Sequence, residues 1–265
     1  MSAKSDSLKN IIGVALAVCF VCSILVSTAA VALKPRQEAN QRLDKIKNIL
    51  IAGDLMEGKD IEAIFREKIQ PILIELKTGD QLPKEKMTGK LDPETFDVKV
   101  ISKDPAASRL IPRAKDKAKI KRLPLNILIY FVKEGKDKYS KIIFPVHGSG
   151  LWSVMYGFLA LDWDLKTIKA ITFYEHGETP GLGGEIDNAR WKASWKGKIA
   201  FDETGKLKLK VLKGLAPAGA ASEIDGLAGA TITTRGVDDM IAFWFGPEGY
   251  GPFLEKLRHK KGGQE

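Results

Sequence analysis

Residues 11–33, IIGVALAVCFVCSILVSTAAVAL, are 23 consecutive residues without a charge. As a helix rising about 1.5 Å per residue, such a run crosses the roughly 30 Å hydrocarbon core of a bilayer. A helix also satisfies its own backbone hydrogen bonds, as lipid requires. No later stretch of the chain is comparable. The alternative is a signal peptide, with Ala30-Val31-Ala32 as a small-residue cleavage site. The run exceeds the about 7–15 residues of a signal core, which favours a retained anchor. Lys4 and Lys9 precede it; Lys34, Arg36, Arg42, Lys45 and Lys47 follow it. That balance points the following domain toward the cytoplasm, but long domains translocate largely regardless of charge, so it decides little.

The remaining composition belongs to a folded domain. Hydrophobic residues make up 44% of the chain and charged residues 28%, which excludes disorder and low-complexity arrays. The net charge is +9, and +7 of it falls in residues 113–141. The run reads first as a solvated surface, and no nucleic-acid partner is expected from it. The two cysteines, Cys19 and Cys22, lie inside the apolar run without a histidine or acid nearby. They read as small packing residues rather than a redox or metal pair. The rest of the chain has no cysteine, which suits an oxidising compartment.

Four regions follow from the pattern: a tail at 1–10, the membrane helix at 11–33, a juxtamembrane helical and loop region at 34–124, and a domain at 125–265. Residues 34–70 read as helix, broken at Gly53 and Gly58. Leu43, Ile46 and Leu50 share one face; Ile61, Ile64, Phe65 and Ile69 share another. Pro71, Pro83 and Pro93 then predict a loop-rich stretch. From Leu125 the pattern becomes that of strands. LNILIYFV and KIIFPV predict a hairpin around KEGKDK, and LWSVMYGFLALD and TIKAITFYEH a second pair. KIAF and KLKLKVL around Asp202–Gly205 predict a third hairpin, and WKASWKGK a short helix. A last helix is predicted over residues 234–245, with Val237, Met240, Ile241, Trp244 and Phe245 on one side. The fold class is α+β: one transmembrane helix, then a domain of antiparallel strands with flanking helices.

Common catalytic patterns are missing. His147, His176 and His259 are scattered, and no phosphate-binding, dinucleotide-binding or nucleophile-elbow motif occurs. Two glycine-rich segments remain. The first, His176-Gly177-Glu178-Thr179-Pro180-Gly181-Leu182-Gly183-Gly184-Glu185, is either a surface turn or a loop whose backbone approaches a flat ligand. The second, Asp225-Gly226-Leu227-Ala228-Gly229-Ala230-Thr231-Ile232-Thr233-Thr234, precedes the last helix. Small residues followed by hydroxyls at a helix start either seat an anion or supply an N-cap from Thr233 or Thr234.

Asp225-x-x-Ala228-Gly229-Ala230-Thr231 resembles the flavinylation motif of FMN-binding domains, Asp-x-x-(Ser/Thr)-Gly-Ala-Thr. Ala228 departs from it; the Gly-Ala-Thr core is intact. Residues 148–198, GSGLWSVMYGFLALDWDLKTIKAITFYEHGETPGLGGEIDNARWKASWKGK, are similar to the C subunits of sodium-translocating NADH:quinone oxidoreductases. The layout, with one N-terminal helix and a flavin motif near the C-terminus, is also similar. The equivalent subunit of an Rnf-type electron-transport complex shares the motif and the TPGLG loop. A membrane-anchored, non-redox binding module is the reading from a different class.

The resemblance implies one FMN per chain, joined through its phosphate to the Thr231 hydroxyl. It implies flavin contacts from Asp225, Gly229, Ala230, Thr233, Glu178, Thr179, Gly181, Leu182 and Gly183, with Asp225 orienting the loop or assisting the transferase; Trp152 reads first as core packing and second as a neighbouring aromatic. No residue is expected to be a catalytic base, and no metal site is expected. Thr233 is expected to donate to the phosphate and Thr234 to cap the helix. The family relays electrons from NADH toward ubiquinone with outward sodium transport. The implied partners are the other subunits, a flavin transferase and membrane lipid. The implied location is the bacterial inner membrane, with the flavin domain on the periplasmic side.

Overall fold

The computed structural model describes residues 8–56, 60–93, 95–135 and 138–262. The tail before Leu8, the Gly58 break and the centre of the KEGKDK turn lie outside the described residues. Chain contacts divide the protein into two compact units, Met1–Lys45 and Ile46–Glu265. In the first unit, helix α1 (Leu8–Gly53) begins; it contains the apolar run and is long and apolar enough to cross a membrane. It continues through Pro35 and ends in the second unit, where Ile46, Ile49, Leu50 and Ala52 are buried on one face. Leu43, expected on that face, is exposed.

The second unit is built in chain order from α2 (Ile61–Lys68), β1 (Ile69–Glu75), α3 (Val98–Lys103), β2 (Ser108–Leu110) and β3 (Arg122–Pro124), then β4 (Asn126–Lys133), β5 (Tyr139–Ser149), β6 (Val154–Asp162) and β7 (Ile168–Glu175). α4 (Ala189–Ala193), β8 (Lys210–Val211), β9 (Glu223–Ile224), α5 (Thr231–Trp244) and α6 (Gly251–Gly262) complete it. Five strands form one antiparallel sheet in the order β1-β4-β5-β6-β7. Successive strand residues point to opposite faces. Tyr130 meets Phe65 of α2, with ring centroids 6.2 Å apart, whereas Phe131 meets Phe253 of α6 at 6.5 Å. Helices therefore cover both faces, and β4 is buried along nearly its whole length. α5 lies against β5, where the Trp244 indole donates to the His147 carbonyl at 2.7 Å. The Tyr250 hydroxyl, just beyond α5, donates to the Pro145 carbonyl at 2.6 Å.

Both expected strand pairs from Leu125 onward are present, and the short helix expected over WKASWKGK lies earlier, at Ala189–Ala193, with turns after it. Other expectations are corrected. Ile69 opens β1 rather than closing a helical face, and Pro71 lies inside that strand. β1 is an edge strand, the place where a sheet tolerates a residue with no N–H to donate. Because β1 pairs with β4 from Ile69↔Val132 to Glu75↔Asn126, the chain does not divide at residue 124. The expected third hairpin shrinks to a single Phe201↔Leu207 bridge, and β8 instead pairs parallel with β9. The Asp202 carboxylate holds that turn by accepting from the Thr204 and Lys206 amides, both at 3.0 Å. α5 starts three residues earlier than expected, and α6 follows it.

The end of α1 belongs to the core of the second unit, and truncation tests this. A fragment beginning at Lys34 is expected to melt cooperatively. One beginning at Asp54 lacks Ile46, Ile49 and Leu50, each worth about 1.5–3 kcal/mol when fully buried. That loss approaches the whole stability of a typical domain. Equal thermal midpoints for the two fragments would contradict this packing.

Candidate functional site

The glycine-rich loop after β7 turns inward at Glu178, whose side chain is only 5% exposed. Its carboxylate is closely solvated by the protein. Oε1 accepts from the Trp152 amide at 2.9 Å, the Ser153 amide at 3.1 Å and the Ser153 hydroxyl at 3.3 Å. Oε2 accepts from the Leu151 amide at 3.1 Å and the Thr233 hydroxyl at 2.6 Å. Three successive amides of the β5–β6 turn thus converge on one anion. Burial raises the carboxyl's pKa, but the bonds from Thr233 and from the Trp152, Leu151 and Ser153 amides outweigh it and hold it below the ordinary value. Glu178 therefore joins the 151–153 turn, the 176–184 loop and the first turn of α5.

That junction is too tight for side chains at Gly150 and Gly183. A Cβ on Gly150 would fall 2.5 Å from Glu178 Oε1, and one on Gly183 would fall 2.5 Å from the Thr233 hydroxyl. Gly229 has φ +71°, a left-handed conformation in which glycine avoids the Cβ penalty. A Cβ there would approach Leu182 Cδ2 at 3.1 Å. The two glycine-rich segments are therefore brought together, with Leu182 beside Gly229.

Thr231 is the first residue of α5 and is half-buried. Ala230 precedes it as the N-cap residue and supplies no side-chain hydrogen bond. A helix start without a side-chain cap, with its N–H groups and positive dipole end, fits a phosphate carried on the Thr231 hydroxyl. The chemistry of the segment thus suits the group that the sequence motif implies. Around Thr231 the surface is apolar: Trp152 is 72% exposed, Ile232 55%, Leu151 48% and Leu182 45%.

The other sequence-derived residues differ in what they touch. Thr233 spends its proton on Glu178 and is 1% exposed, so it does not face an anion on Thr231. Thr234 is equally buried and accepts from the Leu227 amide at 3.0 Å instead of capping α5. Glu178 is enclosed by protein donors and holds the junction together. The Asp225 carboxylate accepts from the Ala216 amide at 2.7 Å, while its carbonyl accepts from the Trp191 indole at 2.8 Å, so it holds the preceding loop. Thr179 and Gly181 are exposed, and the Thr179 carbonyl closes the loop by accepting from Leu182 at 3.1 Å and Gly184 at 2.9 Å. Ala230 is buried. Trp152 does not pack in the core. Sequence reasoning missed Gly150, Leu151, Ser153 and Ile232; the GSGLWS run just before β6 is the signal that marks the first three. Among the described residues no group of three or more His, Cys, Asp or Glu is arranged for a metal. Burial pushes the His147 imidazole down to about 3, so it is neutral at physiological pH.

Two measurements on flavin-free protein probe this junction. Gly183→Val is expected to destabilise by about 1–3 kcal/mol through overpacking. Gly181→Ala is expected to cost only about 1 kcal/mol, because nothing crowds that position and only its φ of +75° is unfavourable. In urea titrations equal losses would contradict the geometry. For pH, a carboxyl held below 4.5 in the folded state adds stability that is complete above 4.5 and is lost as pH falls through the lower folded value. The gap between wild type and Glu178→Gln should therefore narrow on acidification; a gap that widens refutes the assignment.

Comparison with known proteins identifies the family. Residues 150–246 match the FMN-binding domain family. The chain is 47% identical to the C subunit of the Na(+)-translocating NADH-quinone reductase of Vibrio campbellii, over 97% of this chain and 98% of the relative. It is 44% identical to the C subunit of the Pseudomonas aeruginosa reductase, again over 97% and 98%. The crystal structure of Shewanella oneidensis NqrC superposes with a TM-score of 0.75 at 35% identity, covering 83% of this chain and 99% of that one. The crystal structure of the Parabacteroides distasonis C subunit gives a TM-score of 0.61 at 29% identity, covering 84% and 96%. The chain belongs to the NqrC family, the C subunits of the Na(+)-translocating NADH-quinone reductase.

Proposed function

We propose that this chain is the FMN-carrying subunit of a sodium-pumping NADH:quinone reductase and that the FMN is joined through its phosphate to Thr231. The observation that carries the choice of residue is the contrast among three neighbouring hydroxyls. Thr233 and Thr234 are both 1% exposed and both bonded internally, whereas Thr231 is half-buried at the start of α5. Bound FMN supplies reversible electron transfer at its ring, chemistry that amino-acid side chains do not provide. The chain's own residues do the rest. Thr231 anchors, and the N–H groups of the first turn of α5 offset the phosphate charge. Gly229 and Ala230 leave the approach clear, and Leu182 and Trp152 offer apolar surface to the ring. A threonine hydroxyl is a weak nucleophile near pH 7, so a separate flavin transferase is required to load it.

The near-full-length likeness to NqrC proteins supports placing the chain in a membrane complex with other subunits. The apolar α1 supports a single-pass anchor in lipid of the bacterial inner membrane. The family resemblance supports placing the flavin domain on the periplasmic side, and a cysteine-free domain suits that compartment.

Peptide mass spectrometry of denatured protein from the native host tests this reading. Wild type is expected to carry an FMN adduct on the Thr231 peptide, and Thr231→Ala none. Thr233→Ala should keep the adduct while losing about 1–3 kcal/mol of stability, because Glu178 loses its shortest donor. Thr234→Ala should also keep it. An adduct mapped to Thr233 or Thr234, or surviving in Thr231→Ala, overturns the proposal.

A further inference from the structure

The lysine-rich segment before β3 is built into the same face as Thr231. Residues 112–121 form a loop organised by Asp116, whose carboxylate accepts from the Ile120 amide at 3.0 Å and the Lys121 amide at 2.8 Å. Lys119 and Lys121 both have left-handed backbone, φ +54° and +66°, a conformation that costs a residue with a Cβ roughly 1–2 kcal/mol. The loop is bolted to the end of β5. The Ser149 amide donates to the Ala118 carbonyl at 2.9 Å, and the Ser149 hydroxyl to the Lys119 carbonyl at 3.1 Å. Ser149 lies two residues before Leu151. α5 closes against the same place, since a Cβ on Gly236 would fall 2.4 Å from the Ser149 carbonyl.

The positive charges on this face outnumber the acids beside them. Lys115 pairs with Glu248 at 2.6 Å. Among the described residues no ion pair within 4 Å holds Arg113, Lys117, Lys119, Lys121 or Arg235. Arg235 lies one turn beyond Thr231 on the same side of α5. Lys119, Lys117 and Arg235 all act on the partly buried Asp239 carboxyl, which places the loop beside that face of the helix. The nearby acids are Asp116, which accepts from the loop's own amides, Asp239, and Asp238, which accepts from the Val211 amide at 2.9 Å and faces Lys210 at 3.6 Å; the five cations without an ion pair outnumber these three. The result is an apolar centre, Leu151, Trp152, Leu182 and Ile232, with a cationic rim along one side.

We propose that this face is the docking surface for the enzyme that loads the flavin, and that the 113–121 loop and Arg235 recognise an acidic patch on that enzyme. The inference rests on Thr231 being the acceptor. The loading enzyme must reach the Thr231 hydroxyl directly, so it must cover the surface around it. Exposed rim charges steer association and raise its rate by about 10–10³-fold, an effect that salt removes. Loading itself forms the bond from Thr231 Oγ to the FMN phosphorus and breaks the pyrophosphate P–O bond of a flavin dinucleotide such as FAD. AMP leaves, the hydroxyl proton passes to solvent, and no electrons are exchanged.

The test uses flavin-free full-length chain in detergent, the flavin transferase of the same organism, FAD and magnesium. The initial rate of adduct formation is followed by mass spectrometry from low to high sodium chloride. Wild type should load at least tenfold faster at low salt than at high salt. Lys117→Glu/Lys119→Glu/Lys121→Glu should load at least tenfold more slowly at low salt and lose most of that salt dependence. A reversal of charge on the 84–86 turn, Lys84→Glu/Lys86→Glu, should match wild type. Thr231→Ala, which cannot be loaded, should still compete with wild type for the enzyme, and should stop competing once the three lysines are reversed. Unchanged rate and salt dependence in the triple variant overturn the docking surface while leaving Thr231 as the acceptor. Absence of any wild-type adduct at Thr231 overturns that assignment and the docking proposal with it. Thermal midpoints of the variants within a few degrees of wild type exclude unfolding as the cause.

Discussion

The Glu178 carboxylate is a buried negative charge held by five hydrogen bonds from two other segments of the chain. Unpaired, such a group costs several kcal/mol to bury. Satisfied, it fixes the relative positions of its donors. Here the donors are the turn that carries Leu151 and Trp152 and the first turn of α5. The loop that carries Glu178 also carries Leu182. The surroundings of Thr231 thus follow from one anion, together with the glycines at 150 and 183 that let three backbones close around it. The Thr231 hydroxyl, the proposed acceptor, stands next to this junction without taking part in it.

The remainder of the domain supports that arrangement. α5 must start at a defined place, and it is held there by burial of Val237, Met240, Ile241 and Trp244 against the sheet. Trp244 adds a side-chain bond to the carbonyl of His147 in β5. Ser149, near the end of the same strand, carries the lysine-rich loop through its amide and hydroxyl. One strand therefore sets the position of the helix, the aromatic turn and the charged rim. The apolar surface left around Thr231 is unusual for a water-facing surface and suits a ring cofactor or a protein partner.

Much of this is legible in the amino-acid order. The uncharged run, the strands from Leu125 onward and the amphipathic face of α5 follow from period and length, because burial imposes both. The flavin motif and the TPGLG loop stand out through their resemblance to a known family; by residue types alone each also reads as a turn or a helix cap. What the pattern does not carry is pairing between distant segments. β1 escapes notice because Pro71 reads as a breaker, although an edge strand accepts it. The helical start at Thr231 escapes it because Thr234 looks like a cap, whereas its hydroxyl is turned inward to the Leu227 amide. Thr233 and Glu178 read as cofactor contacts, yet they bond to each other over a separation of 55 residues. A hydroxyl and a carboxylate that satisfy one another leave no local trace in sequence. The basic run reads as solvated surface because its attachment to the site is made by backbone, which residue types do not reveal.

The central claim is that one hydroxyl is presented while its two neighbours are locked inside. A crystal structure of the flavin-loaded chain from its native host addresses this directly. The account predicts continuous density from the FMN phosphate to Thr231 Oγ, with Thr233 still within hydrogen-bond distance of Glu178. Density joining the phosphate to Thr233 or Thr234, or a flavin bound away from the start of α5, would contradict it.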